Sequence, residues 1–91
     1  MSKINEREFE DSLKEEGFSS IFTHRDHPGA YYPDHTHRGI TAHIVLEGYI
    51  TVTSGGSTVT YRVGDRFDIP ANTIHSAKIG SGGCLYMIGE K

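Results

Sequence analysis

Hydrophobic residues recur at two different periods along this chain, and the change falls at Gly17. Before it, Ile4, Phe9 and Leu13 sit near helical spacing, which predicts a helix over residues 3–16 with one thin apolar stripe for docking on a sheet. Ser2 or Asn5 can cap its start, and Glu6 and Glu8 occupy the first turn, where the helix dipole favours anions. Gly17 follows Lys-Glu-Glu, where a glycine commonly ends a helix. Beyond Gly17 the period becomes 2, and β-branched and aromatic residues dominate. That pattern predicts strands at 18–24, 30–32, 35–37, 40–46, 49–53, 57–63, 66–69, 74–79 and 84–88. The breaks carry turn chemistry: Pro28-Gly29, Pro33-Asp34, Glu47-Gly48, Ser54-Gly-Gly-Ser57, Gly64-Asp65, Pro70-Ala-Asn72 and Gly80-Ser-Gly-Gly83. Many short strands with frequent reversals indicate an all-β barrel or jelly roll. The expected organisation is therefore an N-terminal helix over 1–16 and a single β domain over 17–91.

The segment 40–46 is apolar on both faces. His43 and Val45 point one way, Ile44 and Leu46 the other. A strand of this kind is usually buried on both sides. In a small barrel only one face lines the interior, so the helix or a second subunit must cover the other. The small size of the domain favours a homodimer.

Composition narrows the function classes. The chain has 91 residues, enough for one modest core, and only 35% of them are hydrophobic. A net charge of −3 with interspersed signs lacks the basic patch that nucleic-acid binding needs. The apolar runs fall far short of the roughly 20 residues of a membrane span. No apolar signal core follows Met1, and the single cysteine, Cys84, fits a reducing compartment; a cytoplasmic location is expected. Cys84 itself reads as a small buried hydrophobe of the last strand.

The chemistry lies in the histidines. His35, His37 and His43 fall at odd positions and face one side of an extended chain. Neutral imidazole is the commonest transition-metal ligand, and two on one strand face supply half a tetrahedral site. His75 follows the Pro70-Ala-Asn72 turn, which fixes its direction. His24 and His27, among Arg25, Asp26 and Pro28, read as surface residues.

Two spaced motifs carry a resemblance. The sequence resembles a small single-domain cupin, whose first motif is G-x5-H-x-H-x3/4-E-x6-G and whose second is G-x5-P-x-G-x2-H-x3-N. Gly29, His35, His37 and Gly48 answer the first, with Thr41 at the glutamate's place. Gly64, Pro70 and His75 answer the second, with Asn72 at the inner glycine, a residue that tolerates positive φ. The resemblance implies a cupin β-barrel with His35, His37 and His75 as ligands of one divalent transition metal (Fe, Ni, Zn, Cu, Co or Mn). The glutamate does not carry over, which leaves a three-histidine site, or one completed by His43. The rival role for His43 is a cavity residue contacting substrate. Three neutral imidazoles leave the ion its full charge, so the centre favours small, anionic, chelating partners.

The resemblance implies a three-histidine dioxygenase or a related metalloenzyme. In that reading His43 is a candidate base and Tyr32, Tyr61 or Tyr86 candidate acids, against a plain role for the tyrosines in filling the barrel. The alternative is a non-catalytic module that binds or senses a metal or small molecule. A third class, metal-free sugar isomerases or epimerases, would not need all three ligand histidines.

Overall fold

The computed structural model describes residues 5–91, so Ser2 as a cap and Ile4 in the helical stripe lie outside the described residues. The helix, α1, runs Glu6–Glu15. Asn5 is its N-cap, and its side-chain oxygen accepts from the Glu8 N–H at 3.1 Å. At the other end the Gly17 N–H donates to Lys14 O and the Phe18 N–H to Leu13 O. That pair of bonds needs a left-handed residue, and Gly17 supplies it at φ 94°.

Six antiparallel strands follow: β1 Ser20–Asp26, β2 Tyr31–His35, β3 Thr41–Ser54, β4 Ser57–Arg62, β5 Arg66–Ile69 and β6 His75–Glu90. Two of them were each expected as a pair of short strands. The 40–46 and 49–53 segments form one 14-residue strand, and 74–79 and 84–88 one of 16 residues. Their glycines bend the strands and do not turn them. Along β3 the register shifts on both sides of Glu47 and Gly48, and β6 pairs with β3 from Glu90 to His75 across the bend. Gly48 has φ 76°, and a Cβ there would lie 2.1 Å from the Gly83 carbonyl oxygen. Only glycine lets the two backbones cross so closely.

Because β3 and β6 are long, each serves both layers of a single six-stranded sheet folded on itself. The first half of β3 and the second half of β6 join β1 and β5; the other halves join β2 and β4. The result is a β-sandwich, all-β as the sequence predicts. Val45, Ile50, Val52, Phe67, Ile69, Ile79 and Tyr86 fill the space between its layers. Cys84 is a free, buried thiol among them; burial, and then the Asp26 charge, pushes its pKa up to about 11.

A second cluster lies outside. Ile44, Leu46, Ala42 and Met87 meet Leu13 and Phe18, with Phe9 and Ile21 at the edge. Ile44 is 3% and Leu46 6% exposed, so α1 and the segment after it cover the outer face of β3 without help. This face, expected to need a second subunit, therefore needs none. Burial of Leu13 alone, fully removed from solvent, contributes about 1.5–3 kcal/mol. Glu16 fixes the end of the helix through two hydrogen bonds from Arg66 of β5, at 2.7 and 2.8 Å. No helix of the described residues is long and apolar enough to cross a membrane.

Candidate metal centre and its cavity

A cavity of about 470 Å³ opens between the layers, and three of the predicted ligands gather in it. His35 closes β2 and pairs directly with His75, which opens β6. His37 was expected on a strand with His35; the strand stops at His35, and His37 sits in the irregular segment that follows, just before the bend at Arg38 and Gly39. It is held there because its carbonyl oxygen accepts the Asn72 N–H at 2.8 Å. Asn72 has φ 60°, the only positive value among the described non-glycine residues, so it does occupy the turn position of the motif's glycine. The rings of His35 and His75 lie 4.1 Å apart, and His37 lies 4.9 and 5.0 Å from them. One nitrogen from each ring falls within 4.8 Å of the others.

The hydrogen bonds decide which nitrogens are free. His35 Nδ1 lies 2.7 Å from the Pro33 carbonyl oxygen, and His75 Nδ1 2.9 Å from that of Thr73. A carbonyl only accepts, so both Nδ1 atoms carry the proton, and both Nε2 atoms keep a lone pair. This is the outer support that metal-binding histidines normally have. Bonds of about 2.0–2.1 Å place tetrahedral ligands roughly 3.4 Å apart, a small contraction of the group seen here. Burial, reinforced by the neighbouring His35 and His75, lowers the His37 pKa, which keeps this imidazole neutral. The donor set fits a divalent transition ion.

His43 stands apart from that group. It lines the same cavity, but its ring stacks on Phe67 at 4.5 Å and 5°, and its buried Nδ1 has no partner among the described residues. Burial first, then the charges of His37 and His75, depress its pKa to about 4. Between the ordinary value of 6.5 and about 4, the unfolded chain takes up a proton at His43 that the folded protein refuses. Metal-free protein should thus lose about 3 kcal/mol of stability from this residue as pH falls through that window. Urea unfolding at both ends should show the loss, and His43→Gln should remove that share of it.

Thr41, which the motif aligns with the glutamate, opens β3. It is 4% exposed, and its buried Oγ1 has no partner among the described residues. Of the tyrosines, Tyr32 and Tyr86 line the cavity, whereas Tyr61 stacks on Phe67 at 4.4 Å and does not. His27 is exposed, as expected for a surface residue.

Sequence reasoning missed the polar cluster facing the triad. Asp26, 7% exposed at the end of β1, accepts from the Tyr32 and Tyr86 hydroxyls, each at 2.6 Å, and from His24 Nε2 at 2.9 Å. Burial alone would raise its pKa; the three hydrogen bonds outweigh that and hold it below the usual range. Both tyrosines are shifted the other way, by burial and by the carboxylate, and remain hydroxyl donors. The available signal was the strand pattern Phe22-x-His24-x-Asp26, which sets all three on one face.

A β-sandwich enclosing a histidine-lined cavity defines a recognised class, and the chain's place in it is direct. Residues 22–86 match the family model of the cupin domain, and the chain belongs to that family. No curated protein sequence matches it. Among solved structures, a protein of unknown function from Rhizobium leguminosarum is 27% identical, with a TM-score of 0.72 over 77% of this chain and 66% of the other. The DMSP lyase DddQ from Ruegeria pomeroyi is 18% identical, with a TM-score of 0.71 over 78% of this chain and 36% of the lyase. KdgF from a Halomonas species is 20% identical, with a TM-score of 0.66 over 78% and 67%. The chain thus spans just under two thirds of the first and little more than a third of the second. At these identities the lyase and KdgF share the fold.

Proposed function

We propose that the protein is a small metal-binding cupin in which His35, His37 and His75 hold one divalent transition ion and present it to a small, chelating, anionic molecule. The observation that carries this reading is the commitment of His35 and His75 Nδ1 to backbone carbonyls, which leaves two Nε2 lone pairs in a group of three imidazoles. A bound ion would supply Lewis-acid polarisation of a coordinated oxygen, and no carboxylate among the three residues offsets its charge. The chain's own residues do the rest. The apolar walls, including Ile50, Val52 and Phe67, exclude water and suit a short hydrocarbon portion. His43 is better placed as a cavity residue than as a fourth ligand, since its ring is stacked on Phe67.

Catalysis on such a ligand, by a dioxygenase or a related metalloenzyme, is the reading we favour over a silent binding or sensing module. The polar cluster on Asp26 favours it, because three of its members, His24, Tyr32 and Tyr86, line the same cavity as the triad, and a storage site has no use for them. A homodimer would have to use a surface other than the Ile44–Leu46 face, and sedimentation against the 10.1 kDa chain mass reads it directly. The cytoplasm remains the proposed compartment, on the strength of the one buried, unpaired Cys84. The deciding experiment is elemental analysis of protein purified without a nickel column. About one transition ion per chain is expected, and a metal-free protein that also refuses added zinc would overturn the reading.

A further inference from the structure

We propose that His24, seated on Asp26, is a proton-transfer group that acts on a small 2-oxo acid held in the cavity, taking a proton from the carbon next to the carbonyl. The proposal rests on the metal reading above and goes beyond it by naming a second chemical centre and a substrate class.

The geometry starts from Asp26. Its two oxygens receive three donors: Oδ1 accepts from Tyr32 and His24, and Oδ2 from Tyr86. A buried carboxylate so held cannot rotate, and it fixes the imidazole that donates to it. In the neutral His24 ring the proton therefore sits on Nε2, and Nδ1 carries the lone pair. That nitrogen is the base. When it gains a proton, the resulting cation already faces a carboxylate at 2.9 Å. The ring packs edge-on against Tyr86, at 5.7 Å between centroids, which restrains it from the side.

Position supplies the second argument. His24 lines the cavity that holds the triad, yet its side chain is 45% exposed, so it stands at the mouth and can trade its proton with solvent. The two centres are one side chain apart: Tyr32 bonds Asp26 through its hydroxyl, and its ring lies 6.4 Å from that of His35. A molecule bridging them needs an anionic, chelating end for the ion and an acidic C–H beyond it. A 2-oxo acid has both, since its carboxylate and carbonyl oxygens chelate and its next carbon bears the hydrogens that the carbonyl acidifies. Phe22 and Ile88 lie on the same wall and suit a short alkyl chain.

The step balances without a co-reactant. The C–H bond breaks, its proton goes to His24 Nδ1, and the electron pair forms a carbon–carbon double bond while the carbonyl oxygen becomes an enolate. Return of a proton from the same nitrogen restores the acid. In deuterium oxide the returned particle is a deuteron, so turnover appears as exchange. Tyr32 and Tyr86 are positioning residues, acting through Asp26.

The test uses zinc-loaded protein and pyruvate. Proton NMR follows loss of the methyl signal in deuterium oxide, elemental analysis gives the zinc content, and calorimetry gives pyruvate binding. A long-range nitrogen–proton spectrum of the metal-free protein reads the His24 tautomer. We expect the protonated nitrogen to be Nε2, and exchange to exceed that of zinc alone in buffer. His24→Gln should lower the exchange rate by about 10²–10⁴-fold while zinc content and pyruvate binding stay as in wild type. Asp26→Asn should convert the His24 tautomer to protonated Nδ1 and lose exchange with it. Zinc-loaded wild type that fails to bind pyruvate, or binds it without exchange, overturns this proposal and leaves the metal reading standing. So does a His24→Gln variant that exchanges like wild type. Wild type that holds no zinc overturns the metal reading and this proposal with it.

Discussion

Replacing His75 with alanine should abolish binding of the proposed metal. His75 is 4% exposed, bonded at Nδ1 to Thr73, and paired across the sheet with His35, so no neighbour can take over its place. Losing only an outer partner of a metal ligand costs about 10–100-fold in affinity, and losing the ligand itself should cost on the order of 100-fold or more. His43→Ala should leave metal content unchanged, because its ring is stacked on Phe67 outside the group of three. A fall in occupancy would instead make His43 the fourth ligand. Thr41→Glu restores the family pattern in a position that is already buried and unsatisfied. It should raise metal affinity, lower the charge of the loaded site by one, and weaken binding of anionic chelators. Metal stoichiometry on the three variants separates these outcomes. Equal content in wild type and His75→Ala would remove the metal-site reading altogether.

Gly48→Ala should be severely destabilising. Two costs add. The residue sits at φ 76°, which a Cβ disfavours by about 1–2 kcal/mol. The added carbon would also stand 2.1 Å from the Gly83 carbonyl oxygen, an atom of the backbone and not the end of a flexible side chain. One of the two central strands must then move. The combined loss should exceed about 4–5 kcal/mol, against a total of roughly 5–14 kcal/mol for a domain of this size. Gly56→Ala is the control: it has φ 82° but nothing within 4 Å, so it should bear the backbone cost alone. Urea midpoints that match for the two variants would show that the close crossing does not matter.

Much of the site was legible because its residues obey local rules. The two motifs carry His35, His37 and His75 to one group, and the left-handed turn at Asn72 follows from a residue type that readily adopts it. The alternation of β3 was also read correctly: Val45 is inside and Ile44 and Leu46 are outside. What covers that outer face was not legible. Phe9 and Leu13 make too thin a stripe to announce that the helix suffices, and Phe18 completes the cover from beyond the helix. Strand continuity was hidden as well. Glu47-Gly48 and Gly80-Ser-Gly-Gly83 have turn composition, and only the opposing strand shows that the glycines serve a bend and a crossing. The Asp26 cluster escaped for a third reason. Its hydroxyl partners are 6 and 60 residues away, and the His24–Asp26 alternation looks the same in a solvent-facing strand.

Both layers take their middle strands from β3 and β6, which governs how the protein opens. Neither layer can detach without breaking the other, so the amides along β3 and β6 should exchange with deuterium only through whole-molecule unfolding. β2 and β5, with five and four residues, can peel away on their own at lower cost. His35 belongs to the first of these loose edges and His75 to the rigid strand beside it. An ion held between them would bind only the closed form, and at 100 times its dissociation constant would add about 2.7 kcal/mol to that closure. Loading the site would therefore extend the slow-exchanging core to the edge that forms the rim of the cavity.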